Sequence, residues 1–210
     1  IGICLFIGIG DPVLVHGFCL LPQAMYWLVT PQEAGALSRW VQQLARRFVR
    51  GINARHGRTG TLFEGRFRSG VLQAGTHLLP CMWVLDQWPV QMGLAVSAAE
   101  YAHSSAGWYV GQAAAHTGAR GALLRSLLSA PPAVWQLGNT PFEREAAYGR
   151  ELAAQAPGVL PEWWGRLQAG WAVGDAAFLQ GLQEQCAGRR ILPAARGRPK
   201  KAVATATQPR

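Results

Sequence analysis

An α+β domain followed by a helical region and a basic tail is what this sequence predicts, and three observations carry it. Two apolar, β-branched and aromatic runs, VLVHGFCLLP from Val13 and MYWLVTP from Met25, flank a short polar break near Pro22 and Gln23. Helical periodicity follows them directly. Beyond about Trp108 alanine and glycine dominate, and helix caps recur where strand signals stop. The chain divides on this basis into a first domain at 1–110, a helical region at 111–188 and a basic tail at 189–210 that is expected to be disordered.

The two runs read as sheet strands joined by a close turn. Thr30 and Glu33 have the spacing of a capping box and Pro31 suits a first helical position, so a helix is expected to begin there. Leu37, Val41, Leu44, Phe48 and Ile52 recur every three to four residues and give it a buried face, with Arg39, Arg46 and Arg50 on another. It should end between Asn53 and Gly57. The glycine-rich GRTGTLFEGRFRSGV that follows has no helical period and reads as an extended loop or hairpin. A second helix fits Thr76 to Trp88, capped by Thr76 and stopped by Pro89. Further helices are expected at 119–129, at 141–155 behind a second capping box (Thr140 with Glu143), and at 175–187 between Asp175 and Gly188. The last fifteen residues, basic and rich in Ala, Thr and Pro, should stay disordered until bound.

Charge is segregated along the chain. Ser38 to Gly70 holds eight arginines (39, 46, 47, 50, 55, 58, 66 and 68) and one acid, Glu64, with Trp40, Phe48, Phe63 and Phe67 between them. Arg189 to Arg210 adds seven Lys or Arg and no acid. The two blocks together carry a net +14, and the other 155 residues hold five basic and ten acidic side chains within a chain of net +9. Guanidinium groups pair with phosphate oxygens in a planar fork, and aromatic faces stack on unpaired bases, so a polyanion such as nucleic acid is the expected partner. Glu64 is expected to pair with Arg66 or Arg58. The basic stretch lacks the all-apolar opposite face of an interfacial helix, which argues against a membrane.

The four cysteines, 4, 19, 81 and 186, form no CxxC pair and no metal-ligand spacing, and no disulfide or structural zinc is expected. Neither do His16, His56, His77, His103 and His116 share a ligand spacing. The opening IGICLFIGIG is too short to span a bilayer and lacks the basic start of a signal peptide. It begins at Ile, so an upstream piece is expected to be missing.

Several blocks together resemble one family. VHGFCLLPQAMYWLVTP, RWVQQLARRFVRGIN, GRTGTLFEGRFRSG, HLLPCMWVLDQWPVQMGL, EYAHSSAGWY and GWAVGDAAFLQGLQEQCAGRR followed by GRPKK are similar, in kind and order, to the REP-associated tyrosine transposases of bacteria, single-tyrosine HUH transposases. The resemblance covers roughly Val15 to Trp108 and Gly170 to Lys201. It implies a ferredoxin-like domain, an antiparallel sheet with helices on one face, here N-terminally incomplete unless IGICLFIGIG replaces the first strand. An exposed sheet edge is then expected, which a partner or a homodimer contact would cover. It also implies a bacterial, cytoplasmic, nucleoid-associated protein acting in DNA transposition, on single-stranded or hairpin DNA.

Such enzymes attack a scissile phosphate with tyrosine while a divalent metal, Mg or Mn, held by two strand histidines and a helix residue, polarises it. At the corresponding positions this chain has Ala24 and Tyr26 for the histidines, Val84 for the nucleophile and Trp88 for the helix ligand. None of the four side chains present suits its role, so no metal cofactor is expected and the resemblance implies a member that binds DNA but is catalytically impaired. Tyr101, Tyr109 and Tyr148 lie outside the helix that would aim them at a phosphate. The DNA contacts implied are Arg39, Arg46, Arg47, Arg50, Arg55, Arg58, Arg66, Arg68, Phe63 and Phe67, with Arg196, Arg198, Lys200 and Lys201 of the tail, whose RGRPKK is similar to an AT-hook core. An active transposase with displaced catalytic residues and a non-functional relic are the alternatives.

Overall fold

A computed structural model of the chain describes residues 2–7, 13–155, 159–186 and 188–193. Four strands, β1 Gly2–Ile7, β2 Val13–Leu20, β3 Ala24–Pro31 and β4 Arg68–Val71, form one sheet in the order β2-β3-β1-β4. β2 and β3 pair antiparallel, as their close spacing suggests. β1 lies between β3 and β4 and runs parallel to both, so the sheet is mixed and not wholly antiparallel. Residues 2–7 thus supply a central strand. The end of the expected loop, Arg68–Val71, is the strand β4. Four residues with a glycine among them carry no strand pattern of their own, and pairing with β1 is what fixes them.

Both sheet edges are covered by the chain itself. On β2, the Leu20 N–H donates to the His103 carbonyl and the Ser129 N–H to the Val15 carbonyl, each at 2.8 Å. On β4, the Val173 N–H donates to the Val71 carbonyl and the Gln73 N–H to the Val173 carbonyl, again at 2.8 Å. The exposed edge expected from an incomplete sheet is therefore closed at these positions, which removes the strand-pairing route to a homodimer there.

α1 (Ala36–His56) packs on one face of the sheet. Its Val41 is buried, and Leu37, Leu44, Phe48 and Ile52 are half-buried, as the periodicity requires. Trp40 meets Trp27 of β3 edge-on at 5.3 Å. α2 (Ala74–Gln91) covers the opposite face, where Cys19, Tyr26 and Leu28 meet Leu78, Cys81, Met82, Val84 and Leu85. Helices thus lie on both faces and not on one. The reason is visible in β3, where Met25 through Thr30 are all buried and no polar face remains for solvent.

The helix starts were misplaced by side-chain chemistry that the sequence does not display. Thr30 is inside β3, and α1 begins only at Ala36 with Gly35 in the left-handed conformation as its cap. The Thr30 hydroxyl is instead engaged by His16, the extra residue of a bulge in β2 between Val15 and Gly17. α2 begins after Gln73 and not at a Thr76 cap, and it continues through Pro89, whose full burial offsets the one hydrogen bond its ring removes.

After α2 come α3 (Ala106–Tyr109), α4 (Ala113–His116), α5 (Gly118–Leu127), α6 (Pro132–Trp135), α7 (Pro141–Ala154), α8 (Glu162–Gln168) and α9 (Ala176–Gln185). The Thr140–Glu143 capping box forms at α7, and the Asp175 carboxylate accepts from the Phe178 N–H at 2.8 Å to cap α9. Tyr148 and Leu152 of α7 and Trp164 and Leu167 of α8 share one core with α2. Residues expected at the start of a disordered tail are anchored. Ile191 is buried, and its carbonyl accepts from the Ala172 N–H at 2.9 Å.

Gly70 shows how tightly β4 is covered. A Cβ there would stand 2.7 Å from the Trp171 carbonyl oxygen and 3.1 Å from that of Leu167, both backbone atoms that cannot swing aside. Gly70→Ala should lower unfolding stability by about 2 kcal/mol, read from the urea midpoint. An unchanged midpoint would show that α8 does not sit this close to the strand.

Candidate nucleic-acid interface

α1 carries five arginines (39, 46, 47, 50 and 55) and no acid. At 3.6 residues per turn, Arg39, Arg46 and Arg50 fall within about 40° of one another, opposite the face that Val41 buries. The stripe they form is about 16 Å long at 1.5 Å per residue. Arg47 flanks it. Arg55 is in the last turn, where the helix dipole favours a cation whatever its function. All eight arginines from 39 to 68 are exposed.

Solvated charge runs usually meet opposite charges nearby. Here only Arg39 does, pairing with Glu33. Arg46, Arg47, Arg50, Arg55, Arg58, Arg66 and Arg68 have no carboxylate within salt-bridge reach among the described residues. Glu64 is exposed and pairs with neither Arg66 nor Arg58, contrary to expectation. Arg50 and Arg58 share a shallow hollow of about 500 Å³ at the C-terminal end of α1, shaped by Gly57 and Gly60. The Asn53 amide holds that turn by donating to the Gly60 carbonyl at 3.0 Å.

Phe63 and Phe67 are half-buried. Phe63 packs on Phe48 of α1, ring centroids 6.0 Å apart. Phe67 lines a cleft of about 720 Å³ between α1, the 63–67 loop, Cys186 and residues 189–191. Arg66, Arg189 and Arg190 lie around the same cleft. Arg189 and Arg190 were not among the expected DNA contacts, although the apolar Ile191 within that basic run was a signal that the segment docks. Arg196, Arg198, Lys200 and Lys201 lie outside the described residues.

The four positions implied to carry chemistry converge on the other side of the sheet. Tyr26 of β3 meets Trp88 of α2 edge-on at 6.0 Å and Trp164 of α8 at 6.3 Å, while Trp88 and Trp164 are 5.3 Å apart. Val84, 4% exposed, is buried in the same core, and Ala24 packs against it. Strand and helix are thus apposed, but aromatic and aliphatic carbon fills the space between them. No group of three His, Cys, Asp or Glu able to hold a metal ion occurs among the described residues.

The remaining tyrosines are held by internal hydrogen bonds. Tyr101 donates to the Leu20 carbonyl at 2.8 Å, Tyr109 to the His16 carbonyl, and Tyr148 to the Asp86 carboxylate at 2.7 Å. Burial pushes the Tyr109 and Tyr148 phenols well above their ordinary range, so neither ionises readily. Cys19 and Cys81 are buried free thiols pushed up for the same reason, and Cys186 is a half-buried one.

Asp86 and His16 are buried polar residues with internal partners. Asp86, 1% exposed, accepts from Ser105 Oγ at 3.0 Å and from Tyr148, and burial pushes its carboxyl up to about 7 against the pull of those two donors. Its signal was a lone acid inside the apolar LLPCMWVLDQWPV. His16 contacts the Ser129 carbonyl through Nδ1 and Thr30 Oγ1 through Nε2, each at 2.7 Å. A carbonyl can only accept, so Nδ1 carries the proton, and burial keeps the ring neutral by lowering its basicity.

No helix among the described residues is long and apolar enough to cross a membrane. Compared with known proteins, the chain matches no family model, no curated protein and no solved structure.

Proposed function

We propose that this protein binds single-stranded or hairpin DNA through α1 and the segment after it, and that it does not cut the strand it holds. The observation that carries this reading is the stripe of α1 arginines opposite its buried face, unneutralised except at Arg39. Phosphate contacts from such a stripe give affinity without sequence choice, and the half-buried Phe63 and Phe67 of the segment after α1 offer rings to unpaired bases.

A ferredoxin-like relation to the single-tyrosine HUH transposases is part of the proposal. Two features support it. β1 lies between β3 and β4, which are parallel and joined through α1, giving a split β-α-β unit. Ala24 and Tyr26 on β3 also face the α2 core that holds Val84 and Trp88, the apposition that metal ligands and nucleophile would need. The aromatic packing at that place, with every other tyrosine hydroxyl engaged, is why binding without cleavage is favoured over displaced chemistry.

Incubating the protein with a labelled DNA hairpin in Mg²⁺ or Mn²⁺ tests the second half of the proposal. Retarded DNA with neither nicked strand nor covalent protein–DNA adduct is expected. An adduct that survives denaturation would overturn it.

A further inference from the structure

The cleft bounded by α1, the 63–67 loop, Cys186 and residues 189–191 meets the edge of the arginine stripe at Gln42 but differs from it in chemistry. Its walls are apolar where Leu37, Val41 and Phe67 line it, and cationic where Arg66, Arg189 and Arg190 do. Glu64 is the one acid among its lining residues. At about 720 Å³ it falls within the size range of small-ligand pockets, far too small for a duplex.

We infer that this cleft receives one unpaired nucleotide of the strand held by α1, with the base against Phe67 and its phosphate among Arg66, Arg189 and Arg190. The inference rests on the nucleic-acid reading above and adds a specific subsite to it. Three features converge on that ligand. The cations are exposed and have no carboxylate partner among the described residues, so a phosphate would meet no competing anion except Glu64. The aromatic wall suits a base, because stacking tolerates any base but needs one freed from its pair. The cleft also reaches the edge of the stripe, since Gln42, which lines it, is three residues after Arg39 and four before Arg46 on α1. Residues 189–191 form its far wall because Ile191 is buried and hydrogen-bonded to Ala172. A strand lying along α1 can therefore turn one base inward without leaving the phosphate contacts.

Abasic scanning tests this without disturbing the protein. Each unpaired nucleotide flanking a hairpin is replaced in turn by an abasic residue that keeps its phosphate. One position should lose affinity roughly tenfold and its neighbours much less. In the Arg66→Ala/Arg189→Ala/Arg190→Ala protein that single-position loss should vanish. In the Arg46→Ala/Arg50→Ala/Arg58→Ala protein binding should weaken throughout while the loss at that position persists. Equal losses at every position, or a single-position loss unchanged in the cleft variant, would overturn the inference while leaving DNA binding intact. A hairpin that does not bind at all would overturn the DNA-binding proposal and this subsite together.

Discussion

Replacing Arg46, Arg50 and Arg58 together with alanine is expected to weaken binding to any DNA sequence alike and to flatten its salt dependence. Each lost phosphate contact on a single strand lowers the slope of log affinity against log salt by about 0.7, so three should remove about 2. The change should leave folding intact, because all three are exposed and none pairs with a carboxylate among the described residues. Arg166→Ala is the matched control, since Arg166 is exposed but paired with Glu162 at 3.3 Å on α8. It should leave the slope where it was. An undiminished slope in the triple variant would mean that DNA approaches another surface.

The stability that Asp86 contributes should fall as pH rises through the range in which it ionises. In the folded protein its carboxyl titrates at about 7, against 3.8 ordinarily, because burial disfavours the charged form more than the Ser105 and Tyr148 hydroxyls favour it. Between those values the folded state holds a proton that the unfolded state has released. The contribution of Asp86 to stability is therefore fullest below about pH 4, declines up to about pH 7 and levels off above. The whole decline is on the order of 4 kcal/mol, at 1.36 kcal/mol per pH unit. Asp86→Asn keeps the shape and an acceptor but cannot ionise, so its unfolding midpoint should lack this decline. His16 contributes the opposite slope, since its folded basicity is lowered, but it does so in both proteins and cancels in the comparison. Parallel pH profiles for the two proteins would contradict the burial of that carboxyl.

What could be read from the sequence was whatever local spacing determines. The apolar repeat of α1 and its charged face were legible, as were the caps of α7 and α9, because each depends on residues within a turn or two. Contacts across long separations were not. Thr30 and Glu33 fit a capping box, yet the Thr30 hydroxyl is taken by His16, fourteen residues earlier on a bulged strand. β4 has no strand signature because its pairing partner is β1, more than sixty residues before it.

The same limit applied to the site. That Ala24, Tyr26, Val84 and Trp88 offer no metal site follows from their residue types alone. That Trp164 from α8 closes against Tyr26 and Trp88 required the fold. This packing also alters the meaning of restoring the implied catalytic residues. Histidine at position 26 would bring a polar ring into an aromatic cluster, and tyrosine at 84 would need room for a ring where a 4%-exposed valine now fits. The exposed arginines were countable from the start. Their opposition to the buried face and the docking of Arg189 and Arg190 beside Phe67 were not.

The most direct measurement is the affinity of the purified protein for a fluorescent single-stranded hairpin, beside an unstructured strand and a duplex of the same length, across a salt series. Hairpin binding tighter than either control, falling linearly with log salt, is the expected result. Equal weak binding to all three, or none, would contradict a retained recognition surface and leave the arginine face with no more than nonspecific charge.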